Sequence, residues 1–589
     1  MRCFRTCALI VAVLTPSLRS AGTGTHVPFT QTHEWIPMRD GVRLAANLFR
    51  PETTTRLGTI LVRTPYGKVS ELTPNYQALV DHGYNFLIED VRGRNESEGI
   101  FDPLQQEPLD GNDTINWIAE QPWSNGKVAM TGGSYLGIAQ WKAAALNNPH
   151  LKAIFPVVSG DDDYRDRFYS PGGAMKWGHR LEWVSENMRA AEFTPPPFDK
   201  FIWTMPERHA DQVVAGREIN ILKAAFDHPA DDAFWKSIST REKLASIKVP
   251  VFSVGGWYDN YVEGDLDAFA TLRKSGTPAR ILIGPWPHNM SIRITTVDFG
   301  PDAHPPLRRS QLEWFDEWLK GDTVPLAATA PVRIFVMGAN VWRDENEWPL
   351  ARAVAERFYL TSGGHANTGS GDGMLLEEVK ETSPDRAYRD SKTDAFTYDP
   401  RHPVPTTGGS ICCNNKIFPW GPEDQRPVEK RADVLVYTTP PLREDVEVTG
   451  PIALVLEAAT TARDTDFTGK LIDVYPDGRA INLTDGIIRA RYREGLSKPK
   501  LLDSTKPVKY FIDLGVTSNV FKHGHRLRLE VSSSNFPRFD RNPNTGRAIA
   551  DEVNLVPASQ TIFHSAHHLS YLVLPVVPAN LRYTASARH

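Results

Sequence analysis

Four cysteines in 589 residues are too few for a disulfide-scaffolded fold, the device of small domains that cannot build a large core. An excess of one charge is missing too: Lys and Arg total 66 against 71 Asp and Glu, a net charge of -5. Without a long single-sign run, nucleic-acid binding is excluded as the main business. Beyond the N-terminus no apolar stretch approaches the roughly 20 residues of a membrane-spanning helix. Heptads, short repeats and low-complexity tracts are also absent. What is present is a globular composition, 41% hydrophobic and 23% charged, which excludes disorder as the main state. The length argues for several domains, at roughly 150 residues each.

Arg2 and Arg5 precede a short apolar run at 8–14, followed by Pro16 and the small residues Ser20, Ala21 and Gly22. A positive start, a short apolar core and small residues near a cut form the layout of a secretory signal peptide. Residues 1–22 are therefore expected to be removed, leaving a secreted or periplasmic protein. Removal would take Cys3 and Cys7 and leave Cys412 beside Cys413. Neighbouring Cα atoms, about 3.8 Å apart, sit closer than disulfide geometry prefers. Two packed thiols are favoured over a strained vicinal disulfide.

From residue 23 to 159 strand and helix alternate. Asp40-Gly41 reads as a hairpin turn, and 59–62, 85–88, 127–130 and 153–158 are apolar runs of buried-strand length. Helical stretches at 114–120 and 135–146 separate some of them, which argues for a mostly parallel sheet covered on both faces. Between 160 and 246, Trp177, Leu181, Val184 and Met188 recur at helical spacing, so this segment reads as a helical insertion. Strand and helix resume over 247–328, with a last helix at about 310–320 stopped by Gly321. From 329 to 589 the texture is all-β, beginning with 332–337, and suggests a sandwich or jelly roll.

The sharpest chemical feature is Gly132-Gly133-Ser134-Tyr135-Leu136-Gly137, where a strand meets a helix. A nucleophile elbow needs a serine on such a turn with small neighbours. Gly132 fits, whereas the following glycine comes at plus three instead of plus two. A serine needs a base, and the base an orienting acid. Two segments supply them in the hydrolase order: 251–254 leads into Gly255-Gly256-Trp257-Tyr258-Asp259, and 281–283 into Gly284-Pro285-Trp286-Pro287-His288. Singly, Asp259 reads as well as a turn residue and His288 as a loop histidine. Their order on successive strands favours catalysis.

With these motifs the chain resembles the cocaine-esterase and glutaryl-acylase (CocE/NonD) serine hydrolases, relatives of the X-Pro dipeptidyl-peptidases. The resemblance rests on Arg63-Thr64-Pro65-Tyr66-Gly67-Lys68, Asp90-Val91-Arg92-Gly93-Arg94, the elbow, His228-Pro229, Gly255–Asp259 and Gly284–His288. It extends through Trp314–Gly321 to Ser534-Asn535-Phe536-Pro537, and so spans nearly the whole mature chain. It implies an α/β-hydrolase core, an inserted helical cap and a C-terminal jelly roll. By the same resemblance Ser134 is the nucleophile, Asp259 the orienting acid and His288 the base. The Tyr66 hydroxyl and the Tyr135 backbone N–H form the oxyanion hole. No metal or organic cofactor is implied.

Related α-amino-acid ester hydrolases carry acidic residues where this chain has Leu136 and Tyr261-Val262. That puts a preference for α-amino substrates in doubt, although Asp161-Asp162-Asp163 offers other carboxylates. Trp257, Tyr258 and Trp286 flank the acid and the base and are pocket candidates. Trp177, Trp183, Phe234 and Trp235 read better as packing of the insertion. His564, His567 and His568 lack the partners of a metal motif. The expected function is a secreted hydrolase of small ester or amide substrates acting through an acyl-enzyme, with homo-oligomerisation left open. The rivals are an X-Pro exopeptidase and a non-catalytic carbohydrate-binding protein.

Overall fold

The computed structural model describes residues 26–292, 296–304, 306–321, 329–377, 393–412, 414, 419–503, 505–565 and 567–581. The expected signal peptide, 1–22, and Cys413 lie outside the described residues. Cys412 is disulfide-bonded, which corrects the expectation of packed thiols: preferred geometry between sequence neighbours was too weak a criterion to decide the matter.

Ten strands make the first sheet: β1 Phe29–Pro37, β2 Arg43–Pro51, β3 Leu57–Thr64, β4 Asn85–Asp90, β5 Ser124–Gly133, β6 Leu151–Val157, β7 Val251–Tyr258, β8 Ala279–Pro287, β9 Val332–Val336 and β10 Val341–Glu345. Their spatial order is β1-β2-β4-β3-β5-β6-β7-β8-β9-β10. The strands from β4 to β9 run parallel, and antiparallel pairs close both edges. Alternation at period two explains the layering. Leu61, Leu87 and Met130 face helices α2 (Glu107–Glu120) and α3 (Tyr135–Ala144), with Ile115, Ile118 and Trp141 in the same core. Ile60, Val62, Phe86 and Ile88 face the other way, towards α1 (Pro74–Asp81) and the Leu307–Phe315 helix. That last helix widens into a π turn, Asp316–Lys320, and stops at Gly321 with φ 79°.

The run at 332–337, expected to open the all-β region, instead supplies β9 to the first sheet. It pairs in parallel with β8 through Ile281–Val332 to Ile283–Ile334, where its apolar side chains are buried. An alternating run shows that it is a strand but not which sheet has a free edge for it.

Between β6 and β7 the chain runs through helical segments, from a π turn at Asp163–Phe168 to a 3-10 turn at Arg241–Ser246. Helix α4 (Gly178–Asn187) buries Leu181 and Val184, with Trp177 and Met188 at its ends, in a second core that also takes in Val91, Leu104, Tyr135, Ile138 and Phe536. Beyond β10 an 11-stranded sheet follows, its longest pairing between Val446–Thr460 and Val508–Phe521. Among the described residues, no helix is long and apolar enough to cross a membrane.

Candidate active site

The site forms where three parallel strands end. Ser134 directly follows β5, Asp259 follows β7 and His288 follows β8, so the sheet's carboxyl edge gathers residues far apart in sequence. Ser134 has φ 56° and ψ -125°, a conformation an L-residue holds only when its surroundings enforce it. The glycines show how. A Cβ on Gly132 would lie 2.5 Å from the Leu136 Cβ, and one on Gly137 only 2.6 Å from the Ser159 Cβ. The plus-three glycine thus serves the approach of α3 to the strand-β6 loop, while Leu136 fills the space beside Gly132.

His288 Nδ1 lies 2.6 Å from Asp259 Oδ1, and its Nε2 lies 3.0 Å from Ser134 Oγ. Asp259 is fully buried and its second oxygen accepts the Tyr261 N–H at 3.1 Å. A carboxylate so fixed holds the imidazole by Nδ1, leaving Nε2 free to take a proton from the hydroxyl. Next to it Asp265 accepts the Gly160 N–H at 3.0 Å, and burial together with the Asp259 charge pushes its carboxyl well above the usual range.

Tyr66 stands on the loop after β3, its own N–H bonded to Thr64 Oγ1 at 3.1 Å. Arg94 clamps that loop, donating to the Pro65 carbonyl at 2.8 Å and to the Asn187 carbonyl at the end of α4 at 2.6 Å. The Tyr66 hydroxyl accepts the Trp183 indole N–H at 3.1 Å, and Tyr66 lines the same cavity as Ser134. The Tyr135 N–H, first in α3, has no carbonyl of its own helix to reach. Its ring stacks on Trp183 with centroids 6.1 Å apart and planes 5° apart. Its hydroxyl donates to Glu107 at 2.9 Å, and Glu107 in turn receives the buried Arg63 guanidinium at 2.5 Å.

A cavity opens beside Ser134, lined also by Tyr66, Tyr135, Arg167, His179, Arg180, Trp183, Tyr261 and Cys412. The expectation for Trp257, Tyr258 and Trp286 is corrected, since none of them lines it. Their polar atoms are used in the core: Trp257 and Trp286 donate to the Phe335 and Ala303 carbonyls at 2.7 Å, and Tyr258 to the Asn482 carbonyl at 3.2 Å. Strand residues just before these turns alternate into the sheet's two packed faces. Trp183, read from the sequence as packing, lines the cavity instead. The triple aspartate stays outside it: Asp163 binds Lys142 and Arg167, and Asp162 caps the following turn. His564 and His568 are paired with Asp394 and Glu457.

The chain's relatives agree with this architecture. The profile of the X-Pro dipeptidyl-peptidase (S15 family) matches residues 40–290, and that of the X-Pro dipeptidyl-peptidase C-terminal non-catalytic domain matches 326–573. Cocaine esterase of Rhodococcus sp. (strain MB1 Bresler) is 40% identical over 92% of this chain and 97% of its own. An α-amino acid ester hydrolase structure, 26% identical, aligns with a TM-score of 0.81 over 96% of this chain and 100% of its own. An aminopeptidase structure from a marine sediment Thaumarchaeota archaeon, 27% identical, gives 0.81 over 96% and 99%. The chain belongs to the cocaine-esterase (CocE/NonD) and X-Pro dipeptidyl-peptidase family and is a serine hydrolase.

Proposed function

We propose that the protein hydrolyses esters through an acyl-enzyme formed on Ser134, with His288 as general base and Asp259 as the orienting acid. The observation that carries this reading is the single imidazole spanning Asp259 at 2.6 Å and Ser134 at 3.0 Å. His288 takes the hydroxyl proton as Ser134 Oγ attacks the acyl carbon, and Asp259 stabilises the resulting imidazolium. The negative charge that develops on the carbonyl oxygen is met by the Tyr66 hydroxyl and the Tyr135 N–H. His288 then returns its proton to the leaving alkoxide, and water, activated by the same base, releases the acid.

Around this centre we read 23–159 and 247–328 as the hydrolase core, 160–246 as its cap and the region from 329 as a jelly roll, with β9 and β10 lent to the core. We read 1–22 as a signal peptide. Sequencing of exported protein is expected to begin near Gly22 to Thr25, and an intact Met1 would refute secretion by this route.

Ser134→Ala is expected to lower kcat by about 10⁶ and Asp259→Asn by about 10⁴. Full ester turnover by folded Ser134→Ala would end the proposal. Amide cleavage in the X-Pro manner is the second reading, favoured by the two family profiles. Rates on X-Pro anilides against aryl esters decide between the two.

A further inference from the structure

A chain of buried polar contacts leads from β3 to the residue beside Ser134. It starts at Arg63, which stands opposite Glu89 in the parallel register of β3 with β4 and donates through Nε to Glu89 Oε1 at 2.6 Å. The other Glu89 oxygen accepts the Thr114 hydroxyl at 2.6 Å. Through Nη1 Arg63 reaches the start of α2, where Glu107 Oε2 lies 2.5 Å away and the Glu107 carbonyl 3.2 Å. Gly111 leaves room for this approach, since a Cβ there would lie 3.3 Å from Nη1. The remaining Glu107 oxygen accepts the Tyr135 hydroxyl at 2.9 Å. That hydroxyl in turn accepts the Leu104 N–H at 3.2 Å, so its own proton is committed to Glu107. Arg63, Glu107 and Tyr135 are 0%, 1% and 3% exposed.

These contacts close on themselves. The Tyr135 ring lies nearly parallel to the Trp183 ring, the Trp183 indole donates to the Tyr66 hydroxyl, and Tyr66 follows Arg63 by three residues. Arg63 is thus tied to both proposed oxyanion donors, to Tyr66 along the chain and to Tyr135 through Glu107. Stability alone is a poor reason for such a group. A buried guanidinium between carboxylates gives up hydration that its partners barely offset, and apolar residues of equal volume serve a core as well or better. What a fork of directed hydrogen bonds supplies is fixed placement, and an oxyanion is stabilised by donors that are already aimed before reaction.

We infer that the Arg63–Glu107–Tyr135 relay is a positioning device that sets the two oxyanion donors, the Tyr66 hydroxyl and the Tyr135 N–H, against each other. The inference rests on the proposed acylation of Ser134 and on those two donors. The Arg63 guanidinium and the Glu107 carboxylate act through the tyrosines and touch no substrate.

The test compares wild type with Tyr135→Phe, Arg63→Lys and Glu107→Gln. Tyr135→Phe deletes the hydroxyl but keeps the ring and the backbone N–H, and Arg63→Lys keeps the charge but loses the fork. Tyr398→Phe, which removes an equally buried hydroxyl bonded to the Asn542 carbonyl at 3.2 Å, is the control for lost stability alone. Hydrolysis of an aryl acetate is measured per active site, titrated with a fluorophosphonate. Inhibition by a trifluoromethyl ketone is measured beside it: Ser134 Oγ adds to the ketone carbon, His288 takes the hydroxyl proton, and the ketone oxygen becomes an oxyanion. The relay variants are expected to lose about ten- to thirtyfold in kcat and a similar factor in ketone affinity, with KM within about twofold. Tyr398→Phe should change neither. Wild-type kcat and ketone affinity per titrated site in any folded relay variant, beside a Tyr66→Phe protein that has lost at least a hundredfold, overturn the inference alone. Failure of all three relay variants to fold, with Tyr398→Phe intact, overturns it as well, because the relay would then hold the core. Near-wild-type kcat in folded Tyr66→Phe overturns the donor assignment and the inference with it, and absence of any fluorophosphonate label on Ser134 overturns the nucleophile assignment and both.

Discussion

The Tyr66 hydroxyl occupies a particular hydrogen-bonding position. Because it accepts from the Trp183 indole, its own proton is free to donate, and the proposed recipient is the oxyanion beside Ser134. Burial pushes the phenol up to about 12, so the donor stays protonated across ordinary assay conditions. A raised folded-state value means that stability from this group is fully present below about pH 10 and is lost as pH rises through about 12. Tyr66→Phe keeps the ring and deletes the donor. Its kcat is expected to fall by about 10²–10³ with little change in melting temperature or KM. Trp183→Phe removes the indole N–H that aims the phenol while leaving an aromatic ring beside Tyr135, and should cost about tenfold in kcat. In the double variant the two losses should not add, since both act through one hydroxyl. Steady-state kinetics of the four proteins check this, and additive losses would mean that Trp183 acts on something else.

Helix α4 carries Arg180 and Trp183 towards the cavity, and it also buries an acid. Glu182 is 2% exposed, and burial, with Glu186 alongside, pushes its carboxyl up to about 8. Between about pH 4.5 and 8 the unfolded chain gives up this proton while the folded chain keeps it, so stability falls as pH rises through that window. Glu182→Gln cannot ionise. It should match wild type near pH 4 and gain about 1–3 kcal/mol by pH 8. Melting curves at pH 4, 6 and 8 measure the difference, and a gain independent of pH would contradict the assignment. The helix itself was legible because Trp177, Leu181, Val184 and Met188 mark a buried stripe. That Arg180 and Trp183 both line the cavity was not decided by the sequence. A charged residue flanking an apolar stripe ordinarily reads as solvated, and only the docked insertion encloses it.

At the scale of the molecule, the C-terminal region holds that insertion in place. Trp177 and Gly178 donate their N–H groups to the Arg538 and Pro537 carbonyls at 2.9 and 2.7 Å. Asp540 accepts the Met175 N–H at 2.8 Å while pairing with buried Arg489 at 2.8 Å. Backbone meets backbone at Gly172, where an added Cβ would lie 1.8 Å from the Ile487 carbonyl oxygen. Gly172→Ala must therefore separate the two regions, at about 1–3 kcal/mol. A lower melting temperature and a lower kcat/KM are expected together, because the segment displaced leads into α4. Wild-type kinetics in a destabilised Gly172→Ala protein would show that docking serves stability alone.

Local pattern was enough for the parallel strands and for placing Ser134, Asp259 and His288 directly after three of them. Period-two apolar runs and turn residues are nearest-neighbour properties, and topology places whatever follows consecutive parallel strands along one edge. What the tertiary structure alone decided was which side chains share space. Val332–Val336 joined the first sheet because β8 had an open edge, and Trp257, Tyr258 and Trp286 turned into packed cores. Arg180 and Trp183 became cavity walls because the insertion folds back over the strand ends. Burial and contact depend on segments hundreds of residues apart, and so they are not written in any single stretch of sequence.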